Sequence, residues 1–132
     1  MKELTLQTTV TACAVEEMNP SMRELVEKAK AMTQKAYCPY SHFHVGAAAR
    51  LADGQIITGS NQENAAYPSG LCAERTTLFA ANANYPQTRV EALAIACYTN
   101  GHFTKDAASP CGACRQVMLE TEHRFGKPMQ VV

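Results

Sequence analysis

Cys72-Ala73-Glu74 and, much further along the chain, Pro110-Cys111-Gly112-Ala113-Cys114 together offer three thiolates and one carboxylate. A catalytic zinc ion takes three protein ligands and keeps a fourth position for water, while a neighbouring acid outside the metal shell can move protons. These segments contain that set, with Cys72, Cys111 and Cys114 as ligands for Zn2+ and Glu74 as the acid. The chemistry they suggest is zinc-assisted hydrolysis.

A Cys-x-x-Cys pair alone also fits a redox dithiol, half of a structural zinc knuckle or two packed thiols. Joined to Cys-x-Glu the pattern becomes far more restrictive. Zinc-dependent nucleobase deaminases carry His or Cys followed by x-Glu, and later Pro-Cys-x-x-Cys. Here Cys72 is the first ligand, so the all-sulfur version applies.

Such a site needs elements to hold it. The chain has 132 residues, 46% of them hydrophobic, which suffices for one core and is short for two domains. Its 12 basic and 12 acidic residues cancel, leaving no basic stripe for a polyphosphate backbone and favouring a small, weakly charged substrate over nucleic acid. No apolar run approaches a membrane span, and Met1-Lys2-Glu3-Leu4 does not open a signal peptide, so a cytoplasmic location is expected. In that setting Cys13, Cys38 and Cys97 read as small packing residues.

Residues 4 to 15 alternate loosely and predict an extended N-terminal arm. Asn19-Pro20-Ser21-Met22-Arg23-Glu24 supplies capping side chains, an early proline and a Ser-x-x-Glu box, and Met22, Leu25, Val26, Ala29, Met32 and Ala36 follow at helical spacing. That helix should stop near Tyr37, ahead of Pro39. Phe43, Val45, Ala47, Ala49 and Leu51 alternate, Asp53-Gly54 turns, and Ile56 to Thr58 resumes, which predicts a hairpin.

The stretch from Cys72 to Asn84 lacks Gly and Pro and reads as a second helix. Val90 to Tyr98 is the expected central strand, Pro110 opens a third helix running to about His123, and Met129 to Val132 forms a last strand. The order implies a layered α/β fold. Both Cys segments fall at predicted helix starts, where free N–H groups and the positive dipole end suit anions; Arg75 and Arg115 are candidates to tune the remaining negative charge. His42, His44, His102 and His123 lie at no ligand spacing from the cysteines and read as structural or solvated.

Tyr37-Cys38-Pro39-Tyr40-Ser41-His42-Phe43, Val45-Gly46-Ala47-Ala48, Asn61-Gln62-Glu63-Asn64-Ala65, Cys72-Ala73-Glu74-Arg75 and Ser109-Pro110-Cys111-Gly112-Ala113-Cys114-Arg115-Gln116 resemble, in order and spacing, the small three-cysteine cytidine deaminases. The resemblance implies a three-layer α/β/α sandwich with a mixed central sheet, and hydrolytic deamination of cytidine and deoxycytidine in pyrimidine salvage. It implies that Asn61 and Glu63 bind sugar hydroxyls, that Phe43 packs on the base, and that the Ala73 N–H meets it. It further implies a homotetramer with shared active sites, to which Tyr67 contributes.

A domain over residues 19–132 after an arm of residues 1–18 is expected. Proteins of this type continue with a further strand and C-terminal helix that this sequence does not contain. Two other readings compete: a deaminase of another aminopyrimidine nucleoside, and a catalytically idle zinc-stabilised scaffold.

Overall fold

The structure, a computed structural model, describes residues 1–132. Residues 1–14 are exposed and form no regular element, and one 3-10 turn follows at Val15–Glu17. Helix α1 (Pro20–Met32) starts at Asn19, whose side-chain oxygen accepts from the Met22 N–H at 2.9 Å. Pro20 sits in the first turn, where a missing N–H leaves no helix bond unmade. The expected Ser-x-x-Glu box does not form. Glu24 instead reaches Arg50 at 3.2 Å, and the same guanidinium donates to the Ser21 carbonyl at 2.7 Å.

The first helix also ends earlier than expected. The Thr33 hydroxyl donates to the Lys30 carbonyl at 2.7 Å, and Thr33–Lys35 tightens into a 3-10 turn before the chain extends.

Strands β1 (His44–Leu51) and β2 (Ile56–Ser60) form the expected antiparallel hairpin, with Gly54 at φ 90°, a backbone region open to glycine. Helix α2 (Ala73–Asn84) leads to β3 (Val90–Thr99), which pairs antiparallel with β1. A short β4 (His102–Phe103) folds back on the end of β3. Helix α3 (Gly112–Phe125) ends on the left-handed Gly126, and β5 (Gln130–Val131) runs parallel to β3 beside Ala92 and Leu93. The order β2-β1-β3-β4, with β5 also on β3, makes the sheet mixed.

Strand alternation sends neighbouring side chains to opposite faces. Ala47, Ala49, Leu51 and Leu93 pack with Leu78, Ala81, Cys114 and Met118 of α2 and α3. Ala48, Ala92, Ala94 and Ala96 pack with Met22, Leu25 and Ala29 of α1. The result is the expected three-layer α/β/α sandwich. Its small sheet residues let the helices come close: a Cβ on Gly46 would lie 2.1 Å from the Ala29 carbonyl oxygen.

Candidate active site

Both Cys segments become helix N-termini on the same face of the sheet. Cys72 is the N-cap of α2 and Cys111 the N-cap of α3, each with extended backbone. The Cys111 sulfur accepts from the Cys114 N–H at 3.4 Å, in the position that Ser or Asp oxygen more often fills. The positive ends of two helix dipoles therefore converge on sulfur.

The Cys72 and Cys111 sulfurs are 3.8 Å apart, and those of Cys72, Cys111 and Cys114 all lie within 4.8 Å of one another. Tetrahedral zinc with bonds of about 2.3 Å sets its sulfurs about 3.8 Å apart, so both the donor set and its spacing fit this ion. The cluster contains no fourth His, Cys, Asp or Glu, which leaves Glu74 outside it.

The thiols differ in environment. The backbone N–H of Cys114 holds the Cys111 thiol below its ordinary pKa. Burial, reinforced by the Glu74 carboxylate, pushes the fully buried Cys114 thiol well above it. A divalent cation would reverse that penalty, because a coordinating thiol is deprotonated outright. Arg75 donates to the Cys72 sulfur at 3.8 Å, and this contact raises the guanidinium pKa. Arg115 is exposed on α3 and makes no bond to sulfur, so of the two arginines only Arg75 touches the cluster.

A cavity of about 710 Å³ opens beside the thiols. Cys72, Cys111 and Glu74 line it, while Cys114 lies behind them. Glu74 is in the first turn of α2 and only 6% exposed, a carboxylate withdrawn from bulk water. Phe43, Asn61, Glu63, Arg75 and Tyr67 line the same cavity, so residues from four separate segments meet there. Ala73 is buried at the first position of α2, directly between Cys72 and Glu74 in sequence. Tyr67 stands at the start of a 3-10 turn and is 92% exposed.

Asn61 and Glu63 also carry structural bonds. The Asn61 oxygen accepts from the Val45 N–H at 2.9 Å, and its amide donates to the Phe43 carbonyl at 2.8 Å. Glu63 accepts from the Tyr40 N–H at 2.9 Å, from the Ser41 N–H at 3.3 Å and from the Ser41 hydroxyl. These bonds, led by the hydroxyl, hold the Glu63 carboxyl below its usual range.

Ser41 and Cys97 are among the cavity residues to which the sequence assigns no site role. Ser41 lies between Tyr37 and Phe43, but its partner is distant in sequence and nothing local marks it. Cys97 is buried, as expected of a packing residue, yet it forms part of the cavity wall. Burial, with the Glu74 charge, pushes its thiol up to about 11, so it stays neutral.

A mixed sheet between helix layers, with a three-cysteine cluster able to hold a metal ion and an acid outside it at two helix starts, defines the class of zinc-dependent deaminases. Residues 19–125 match the family described as the cytidine and deoxycytidylate deaminase zinc-binding region, and the chain belongs to that family. It is 48% identical over 96 residues to the cytidine deaminase of Halalkalibacterium halodurans, covering 73% of this chain and 68% of the relative. It is 43% identical over 99 residues to that of Sporosarcina psychrophila, covering 75% and 68%. The crystal structure of cytidine deaminase from Burkholderia pseudomallei superposes with a TM-score of 0.70 at 44% identity, over 87% of this chain and 84% of that one.

Proposed function

We propose that this chain hydrolyses cytidine and deoxycytidine to uridine and deoxyuridine with release of ammonia, a step of pyrimidine salvage. The observation that carries the reading is the buried Glu74, held outside a three-thiolate cluster at the wall of one cavity. Relatives named cytidine deaminase support it.

Deamination requires water to attack the amino-bearing ring carbon, a proton to reach the adjacent ring nitrogen, and a second proton to accompany the departing amine. Cys72, Cys111 and Cys114 would hold the zinc ion, which when bound would supply Lewis acidity for activating water. Glu74 accepts one proton of the attacking water and passes it to the ring nitrogen, then takes the second from the hydroxyl so formed on the ring carbon and passes it to the leaving nitrogen. Arg75, bonded to the Cys72 sulfur, offsets part of the charge of three thiolates.

Phe43 packs against the planar base, and Asn61 and Glu63 take the sugar hydroxyls. At the first position of α2, the Ala73 N–H has no carbonyl one helical turn before it and is directed to the base. The charged residues of the cavity wall are Glu63, Glu74 and Arg75, and Arg75 is engaged with sulfur. A phosphorylated substrate would find no spare cation there, which favours the free nucleoside.

The working unit is a cytoplasmic homotetramer with shared sites, in which the outward Tyr67 serves a neighbouring subunit. Residues 19–132 form the catalytic domain and residues 1–18 an arm. No helix is long and apolar enough to cross a membrane. The deciding experiment follows the loss of cytidine absorbance on incubation with protein of measured zinc content. Zinc-loaded protein that leaves cytidine and deoxycytidine unchanged would overturn the assignment.

A further inference from the structure

We propose that Ser41 is a positioning residue that couples the base-facing and sugar-facing walls of the cavity through Glu63 and Phe43. The proposal rests on the nucleoside reading above and adds a residue to it.

The geometry around this hydroxyl is a closed set of bonds. Ser41 Oγ donates to Glu63 and at the same time accepts from the Phe43 N–H at 3.1 Å. The Tyr40 and Ser41 N–H groups donate to the other Glu63 oxygen at 2.9 and 3.3 Å. The segment on the far side is tied as well: the Glu63 N–H donates to the Tyr37 carbonyl at 2.8 Å, and Asn61 bridges the Phe43 carbonyl and the Val45 N–H. One hydroxyl thus joins the residue assigned to the base to the residue assigned to the sugar.

The chain needs such a link because neither wall is a regular element. Residues 38–43 turn before β1 begins, with His42 at φ 53°, and residues 61–66 follow the end of β2. Loop walls hold a reactive pose only when side-chain bonds fix them. A carboxylate has roughly four lone-pair sites, and three donors from one turn leave about one for a ligand hydroxyl. Without Ser41, Glu63 keeps its charge but gains a choice of direction, and Phe43 loses the acceptor of its N–H.

The test compares Ser41→Ala and Ser41→Thr in zinc-loaded protein. Ser41→Ala is expected to raise KM for cytidine about tenfold, as loss of a charge-assisted hydrogen bond would, with kcat within about twofold. Ser41→Thr, which keeps a hydroxyl, is expected to restore KM. Carbon-13 NMR titration of the Glu63 carboxyl gives a readout independent of turnover: its midpoint moves up in Ser41→Ala and stays depressed in Ser41→Thr. An unchanged Glu63 titration in Ser41→Ala, or a fall in kcat with KM untouched, would overturn the proposal. If the wild-type protein failed to deaminate cytidine, the functional reading would fall, and the NMR titration would still decide whether Ser41 holds Glu63.

Discussion

Cys72 and Cys111 are 39 residues apart in sequence, yet their sulfurs stand 3.8 Å from each other because each caps the start of its own helix. That separation matches the edge of a zinc–thiolate tetrahedron, about 3.8 Å. The site is therefore built into the packing of α2 beside α3, not into a flexible loop.

Glu74→Gln removes the proton carrier and keeps the shape of the cavity wall. Zinc content is expected to stay at the wild-type level while kcat falls by about 10²–10⁴-fold. Metal analysis paired with single-turnover kinetics checks this, and near-normal turnover would remove Glu74 from the chemistry.

Stripping the ion should disturb the fold as well as activity, because it removes the tie that would join the starts of α2 and α3 through the three sulfurs. A chelator is expected to abolish turnover and lower the thermal midpoint by about 5 °C or more. Added zinc should restore both. Scanning calorimetry of the metal-free protein reads the effect directly.

The depressed Glu63 carboxyl predicts a pH signature. Its folded-state pKa lies below the unfolded value of about 4.3, so its contribution is complete above that value and vanishes as pH falls through the folded value. Thermal midpoints of wild type and Glu63→Gln should differ by a constant amount above about pH 5.5 and converge under strong acid. A gap that widened on acidification would contradict the assigned bonds.

Gly46→Ala tests the close seat of α1. Its Cβ would meet the Ala29 carbonyl oxygen at 2.1 Å and the Thr33 nitrogen at 2.7 Å, both backbone atoms that cannot rotate aside. Overpacking of this kind costs about 3 kcal/mol. A urea titration that found the variant as stable as wild type would show that α1 can lift off the sheet.

Much of this was legible in the residues, for identifiable reasons. The β1/β2 hairpin announced itself through period-two alternation around Asp53-Gly54, and the metal ligands through their spacing from Glu74 and Pro110. β4 was not legible, since His102 and Phe103 are too few to carry a pattern and pair only because Asn100 and Gly101 reverse the chain. α1 ends before the visible breaker Pro39, because the Thr33 hydroxyl bonds back to Lys30 and tightens the helix first. Long-range polar bonds were the least legible. Nothing in the Asn61–Asn64 segment indicates that Glu63 is tethered to Ser41, or that Glu24 prefers Arg50 to its own helix start.

Cys72 and Glu74 ride on the same opening turn of α2, separated by one buried alanine. Their mutual placement is thus set by main-chain geometry that no substitution elsewhere can easily retune. Drift in the surrounding walls can change which molecule is admitted, but the acid and the ion's anchor travel together as a single cassette.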